Sequence, residues 1–151
     1  MAFDAFLKID GVMGESRGGE IRLESFSWGI SNSSSGASGG SGGGAGKASF
    51  QDFSFAALVG RQSPKLFEAA ARGMHIKFAT LTVTDKIEPL TIKFNDVFIS
   101  NYKLDEGAIK LSEGVLSAAP LGPPVESVSF NFTSVEFQAG GNLGTADVGP
   151  A

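Results

Sequence analysis

At 151 residues with 42% hydrophobic side chains, the chain is long enough for one domain with a full core. Its net charge of −4 comes with no block of Lys or Arg, which argues against a phosphate-backbone partner and so against nucleic acid. Cysteine is absent, which removes disulfides, thiolate metal sites and cysteine nucleophiles together.

The opening Met1-Ala2-Phe3-Asp4-Ala5-Phe6-Leu7-Lys8-Ile9-Asp10 has an early acid and no long apolar run. It does not read as a signal peptide, and no stretch of the chain is long enough to span a bilayer. The expected setting is cytoplasmic, or export by a route that reads no N-terminal signal. Two matches to the glycosylation pattern, Asn32-Ser33-Ser34 and Asn131-Phe132-Thr133, carry no weight without a secretory signal.

A first strand is predicted over 2–9. The next, 20–30, places Ile21 and Leu23 in one phase, then Phe26, Trp28 and Ile30 in the other. Side chains alternate faces with period two, so such a flip means either a bulge or apolar residues on both faces. Residues 89–100 flip across Asn95-Asp96, and 125–138 flip across Thr133-Ser134. Three strands with this habit suggest a strongly curled sheet, or an outer face covered by a helix or neighbouring subunit. Further strands are expected over 48–56 and 75–84.

Between the strands expected over 20–30 and 48–56 lies GASGGSGGGAGKASF, residues 36–50. Gly46-Lys47 supplies the tail of a P-loop, but Ser41 and Ala48 fall where glycine and a hydroxyl are required. Two windows match G-x-S-x-G and one matches the relaxed dinucleotide pattern, as Gly/Ser bias produces by chance. All three chemistries need a helix directly after the glycines. Instead the stretch Ser49-Phe50-Gln51-Asp52-Phe53-Ser54-Phe55 alternates in its later half as a strand does. A strand-to-strand loop is the better reading, ahead of a hydrolase or nucleotide enzyme.

One helix is predicted over 63–72, with Ser63 as N-cap, Pro64 at the first helical position and Gly73 as the stop. Glu68 and Arg72 are spaced to pair on its exposed side, and Leu66, Phe67, Ala70 and Ala71 give an apolar stripe. Residues 105–124 read as a short hairpin around Glu113-Gly114 or as a loose loop closed by Pro120, Pro123 and Pro124. The Gly-rich segment 139–151 shows no periodicity and is expected as a flexible tail to a domain of 1–138.

Candidate chemistry is sparse. His75 is the sole histidine and opens an apolar strand without a second imidazole or carboxylate pair beside it in sequence. Asp105-Glu106 reads as a solvated turn rather than an acid–base pair. Phe26, Trp28 and Tyr102 read as core packing rather than a base-stacking platform, since no basic residues interleave them. Lys47, Arg61 and Lys65 read as surface charges. No catalytic, cofactor or metal site is expected, and the chain is not read as an enzyme.

A family resemblance fills the gap. Residues 2–11, then Gly14-Glu15-Ser16 and Ser25-Phe26-Ser27-Trp28-Gly29, resemble the opening of the haemolysin-coregulated protein (Hcp) family. The Gly-rich loop ending Gly46-Lys47, then Gln51-Asp52-Phe53-Ser54-Phe55 and Ser63-Pro64-Lys65-Leu66, continue the similarity in order. So do Gly73-Met74-His75-Ile76, Ala79-Thr80-Leu81-Thr82-Val83, residues 97–102 and Glu126-Ser127-Val128-Ser129-Phe130-Asn131-Phe132.

The resemblance implies a mainly β fold: a small antiparallel β-barrel with one flanking α-helix, assembled as a hexameric ring. Rings would stack into the inner tube of a type VI secretion or related contractile injection system. The implied partners are other copies, the sheath, spike and baseplate proteins of that machine, and small effectors in the lumen. The chain would be cytoplasmic on assembly and secreted through the apparatus, with neither nucleic acid binding nor membrane insertion. A ring-shaped adaptor or chaperone for effectors, which does not itself build the tube, is the alternative.

In the family the extended loop reaches from one ring toward the next, which places Asn32, Ser33, Ser41, Gly44, Lys47, Gln51 and Asp52 at an expected inter-ring interface. The family usually ends in a further strand carrying a tryptophan, which residues 139–151 do not resemble. The last edge of the barrel is therefore expected to be covered by a neighbouring subunit or by residues 105–124.

Overall fold

The structure, a computed structural model, describes residues 4–32, 48–84, 89–105 and 124–148. In chain order the elements are β1 (Asp4–Ile9), a 3-10 turn (Arg17–Gly19), β2 (Ile21–Arg22), β3 (Ser25–Ser27), β4 (Ile30–Asn32) and β5 (Ala48–Phe50). Then come β6 (Phe53–Leu58), α1 (Ser63–Arg72), β7 (Ile76–Thr84), β8 (Leu90–Asp105), β9 (Val125–Asn131), β10 (Ser134–Ala139) and β11 (Asn142–Asp147). The expected hairpin or loop of 105–124 lies, beyond Asp105 and Pro124, outside the described residues.

The main sheet runs β2-β1-β7-β8-β9-β6-β3, antiparallel at every step, with β10 and β11 added beside β8. Its two ends, β2 and β3, do not pair with each other, yet they are consecutive stretches of one run of chain. Leu23 N–H donates to the Ala5 carbonyl and Glu24 N–H to the Ala56 carbonyl, so this run leaves β1 and joins β6 within one residue. The strands thereby wrap around a shared interior as a small antiparallel barrel.

The three phase flips fall where strands change sheets. β8 pairs with β10 up to Asn95 and with β7 up to Val97, then with β9 from Phe98 onward. At the switch Asp96 takes φ 54°, and Phe94 and Val97 are both buried although they are three residues apart. The run 125–139 turns the same corner at Thr133, whose N–H donates to the Asn95 carbonyl at 3.0 Å. The run 21–27 does so at Leu23–Glu24. Each flip is thus a bend between two sheet directions and keeps successive apolar residues inside. An apolar outer face is not needed to explain it.

The interior is aromatic. Phe53, Phe94 and Phe130 are fully buried, with ring centroids 5.0 to 5.2 Å apart. Each contributes roughly 1.5–3 kcal/mol by leaving water. Trp28 adds edge contacts to Phe94 at 5.5 Å and Phe132 at 6.2 Å.

Helix α1 has the predicted ends and a different face. Gly73 closes it at φ 62°, and Glu68 meets Arg72 at 3.4 Å and Lys65 at 3.5 Å. Ser63, expected as the cap, is instead the first helical residue, and its Oγ accepts the Gly60 N–H at 3.0 Å. The buried stripe is Gln62, Ser63, Leu66 and Ala69. Phe67 and Ala71, expected within it, point outward, because the i, i+3, i+4 row through Leu66 leaves them on the opposite flank.

The expectation of a strandless tail after 138 is corrected. β11 pairs with β10 over six residues, from Ser134–Asp147 to Ala139–Asn142. Gly140 and Gly141, at φ 58° and 82°, make the two-residue turn that only left-handed residues allow. The strand escaped notice because β11 is an exposed edge, where neither face demands an apolar phase.

Candidate assembly surface

The two strands that flank the Gly/Ser stretch in sequence form a ribbon. β4 and β5 pair Ile30 with Phe50, Ser31 with Ser49 and Asn32 with Ala48, and form a sheet of their own. The Gln51 N–H closes the base of the ribbon by donating to the Gly29 carbonyl at 3.0 Å. Two contacts tie that base to the barrel. Phe50 packs edge-on against Phe132 at 6.0 Å. Asp52 Oδ2 accepts the Ser100 hydroxyl at 2.6 Å, and the Ser129 carbonyl lies 3.2 Å from the same hydroxyl. Ser100 is free to reach Asp52 because the β8–β9 register slips between Ile99 and Asn101.

Of the seven residues expected at an inter-ring interface, the structure brings Asn32, Gln51 and Asp52 together at the ribbon and its base. Ser33, Ser41, Gly44 and Lys47 lie outside the described residues. Ile30, not singled out from the sequence, is 51% exposed on this ribbon. Nearby, the Trp28 Nε1–H is buried with no hydrogen-bond partner among the described residues.

His75 has a partner that its sequence neighbours do not reveal. Its Nε2 lies 2.8 Å from Asp96 Oδ1, while Asp96 Oδ2 accepts the Thr133 hydroxyl at 2.9 Å. The carboxylate stands between imidazole and hydroxyl, the reverse of the order in which a histidine activates a nucleophile. The cluster instead clasps the corner where β8 and the β9–β10 run both bend. The His75 hydrogen bond, and then that of Thr133, hold the Asp96 carboxyl below the usual carboxylate range.

A second polar cluster was missed altogether. Glu126, fully buried, accepts the Tyr102 hydroxyl at 2.7 Å and Gln62 Nε2 at 2.6 Å, and Gln62 also donates to the Leu58 carbonyl. A buried carboxylate is costly unless it is hydrogen-bonded, and this one is. Burial, and then Glu126, push the Tyr102 hydroxyl up to about 12. The signal was legible: Glu126 shares the inward phase of Val128 and Phe130. The cluster pins the start of α1 to the barrel.

Other single residues named from the sequence have plain positions. Phe26 stacks on Phe53 at 5.9 Å and joins Trp28 and Tyr102 in packing against the core. Asp105 lies 3.9 Å from Lys103 at the exposed end of β8, and Glu106 lies outside the described residues. Arg61 and Lys65 are exposed at the start of α1. On the outer face of β3, β6 and β9, Ser25, Ser27, Ser54, Ser127 and Ser129 line a shallow hollow of about 280 Å³ with Asn101 and Lys103. The Ser54 and Ser129 hydroxyls bond each other at 2.8 Å. Among the described residues no cluster of His, Asp or Glu is placed to hold a metal, and no helix is long and apolar enough to cross a membrane.

Comparison with known proteins decides the family. The profile described as "Type VI secretion system effector, Hcp" matches residues 6–138. This chain belongs to the Hcp family. Hcp1 of Salmonella typhimurium is 29% identical, with a TM-score of 0.72 over 97% of this chain and 93% of that one. A type VI secretion system effector from Yersinia pestis is 27% identical, with a TM-score of 0.69 over 96% of this chain and 100% of that one. Hcp2 of Salmonella typhimurium is 25% identical, with a TM-score of 0.66 over 95% and 94%. No curated protein sequence matches the chain. The barrel with one flanking helix is therefore the Hcp fold, and the matched range takes in the ribbon and residues 33–47.

Proposed function

We propose that this chain is a structural subunit of the inner tube of a type VI secretion or related contractile injection system. Six copies close a ring, rings stack, and the lumen carries small effectors out of the cell with the tube. Sheath, spike and baseplate proteins are the remaining partners, and the work involves no bond chemistry.

The observation that carries this reading is the family match across residues 6–138, joined to a ribbon that the barrel does not complete. A two-stranded ribbon is marginal alone in water, and residues 33–47, which join its strands, include no large apolar side chain to build a core. Both are best explained by contact with another ring. Asn32, Gln51 and Asp52 at the base, with Ser33, Ser41, Gly44 and Lys47 along the loop, are the proposed inter-ring residues.

Negative-stain images and light scattering of the pure protein at micromolar concentration test the reading. Six-membered rings and short stacks are expected, and a stable monomer at every concentration would overturn it. Deleting residues 33–46 separates tube subunit from ring-shaped adaptor. Rings should persist while stacking fails; rings that never stack even in the intact protein favour the adaptor.

A further inference from the structure

The ribbon and the barrel are separate sheets, so two short joints set the direction of one against the other: Trp28-Gly29 before β4 and Gln51-Asp52 after β5. Trp28 and Phe50 rest on Phe132 through ring contacts at 6.2 and 6.0 Å, and apolar burial of this kind is non-directional. The Trp28 Nε1–H adds no direction, since it meets no partner among the described residues. The Gln51 N–H bonds the Gly29 carbonyl, and so joins the two sides of the ribbon rather than ribbon to barrel.

The hydrogen bond from the Ser100 hydroxyl to Asp52 Oδ2 does fix a direction. At 2.6 Å to a carboxylate it is short and charge-assisted. It also needs an unusual backbone. Phe130 of β9 pairs with Phe53 on one side and with Ile99 on the other, so β9 lies between Asp52 and Ser100. Positions two strands apart are separated by roughly 9–10 Å, where two short side chains do not ordinarily meet. The bulge closes that gap. Ser100 is the extra residue between Ile99 and Asn101, with no opposite number in β9, and an extra residue of this kind re-aims its side chain.

We propose that Ser100 is a positioning residue: its hydrogen bond across β9 to Asp52 aims the β4–β5 ribbon. The bulge at Ser100 is then part of the assembly machinery, although it lies in β8, far along the chain from the ribbon. Asp52 works through Ser100, within its own chain, and not by direct contact with the next ring. This rests on the assembly reading above and refines the role which that reading gives Asp52.

Ser100→Ala, Asp52→Ala, the double variant and Ser100→Thr, all in the full chain, test it. Ser100 is exposed, so the fold tolerates alanine there. Hydrogen exchange reads the order of the ribbon, and sedimentation reads stacking. In Ser100→Ala the amides of residues 30–32 and 48–50 should exchange roughly tenfold faster, as expected from one lost hydrogen bond to a charged group. Those of α1 and β7 should keep the parental rate. Rings should form and stack poorly. Ser100→Thr keeps the hydroxyl and should stack like the parent. The double variant should be no worse than either single one, because both remove the same bond.

Normal stacking in Ser100→Ala beside failed stacking in Asp52→Ala would overturn the proposal and make Asp52 a direct contact with the next ring. Ribbon exchange unchanged by Ser100→Ala would overturn it too. Either result leaves the assembly reading intact. Absence of rings and stacks in the unmodified protein would remove that reading and the proposal with it.

Discussion

The corner at Asp96 and Thr133 and the ribbon at Ile30 are neighbours joined through Phe132, yet they are satisfied in opposite ways. At the corner the polar groups find partners within the chain: Asp96 bonds His75 and Thr133, and the Thr133 N–H bonds the Asn95 carbonyl. At the ribbon, β4 and β5 pair only with each other among the described residues, and Ile30 is half in water. The corner is finished by folding; on the function proposed above, the ribbon is finished by another copy. Variants in the first should change stability and variants in the second assembly, and a result that crosses those lines breaks the distinction.

The largest effect belongs to the aromatic centre that the corner encloses. Phe94→Ala should cost about 3–5 kcal/mol, since the cavity left by a buried phenylalanine adds to the lost burial. Urea denaturation measures it, and a change below about 1 kcal/mol would mean that the three-ring cluster does not hold the barrel.

Next comes the buried carboxylate. Glu126→Ala strands the Gln62 amide and the Tyr102 hydroxyl together, at a cost of about 1–3 kcal/mol. Glu126→Gln should cost less, because its amide oxygen still accepts one of the two hydrogen bonds. Hydrogen exchange should show the loss concentrated in α1, and uniform weakening would contradict the role assigned to this cluster.

Smaller still is the alkaline dependence that the same cluster imposes. The Tyr102 hydroxyl is raised in the folded chain from its ordinary 10 to about 12. The neutral phenol is therefore favoured by folding, so its contribution is complete below pH 10 and is lost as pH rises toward 12. Stability of the parent should fall across that window, and Tyr102→Phe should flatten the fall. A parallel fall in both proteins would remove Tyr102 as its source. For Asp96 the sign reverses: its carboxyl is lowered, so the clasp is present above the ordinary aspartate value of 3.8 and is lost as pH falls below it.

The smallest effect on stability belongs to the ribbon. Ile30→Asp should leave the stability measured by urea denaturation unchanged within about 0.5 kcal/mol, as for other exposed sites. It should nonetheless weaken stacking, read by sedimentation. A destabilised monomer would show that the ribbon belongs to the core after all.

The same contrast governs how much could be read in advance. The extent of helix α1 was legible because Pro64 and Gly73 are local signals, though its cap and its buried face were not, and the strands were legible where one face is buried. The phase flips were visible in the sequence, but not that each marks a change of sheet; that depends on pairing between β8 and the β9–β10 run, distant in the chain. His75 and Asp96, 21 residues apart, meet for the same reason. β11 was lost to its own exposure, although Gly140-Gly141 carried the turn. Glu126 could have been found, since an acid on an apolar phase asks for buried partners. Of the assembly surface, Asn32, Gln51 and Asp52 came from resemblance, and nothing in their own pattern would have selected them over Ile30.

The central claim, that edges left open by the fold are closed by other copies, is tested most directly by mass photometry of the pure protein. The account predicts a species of about six times the 15.6 kDa chain mass, with multiples of it as concentration rises. A single population at the mass of one chain, unchanged across the range, would contradict it.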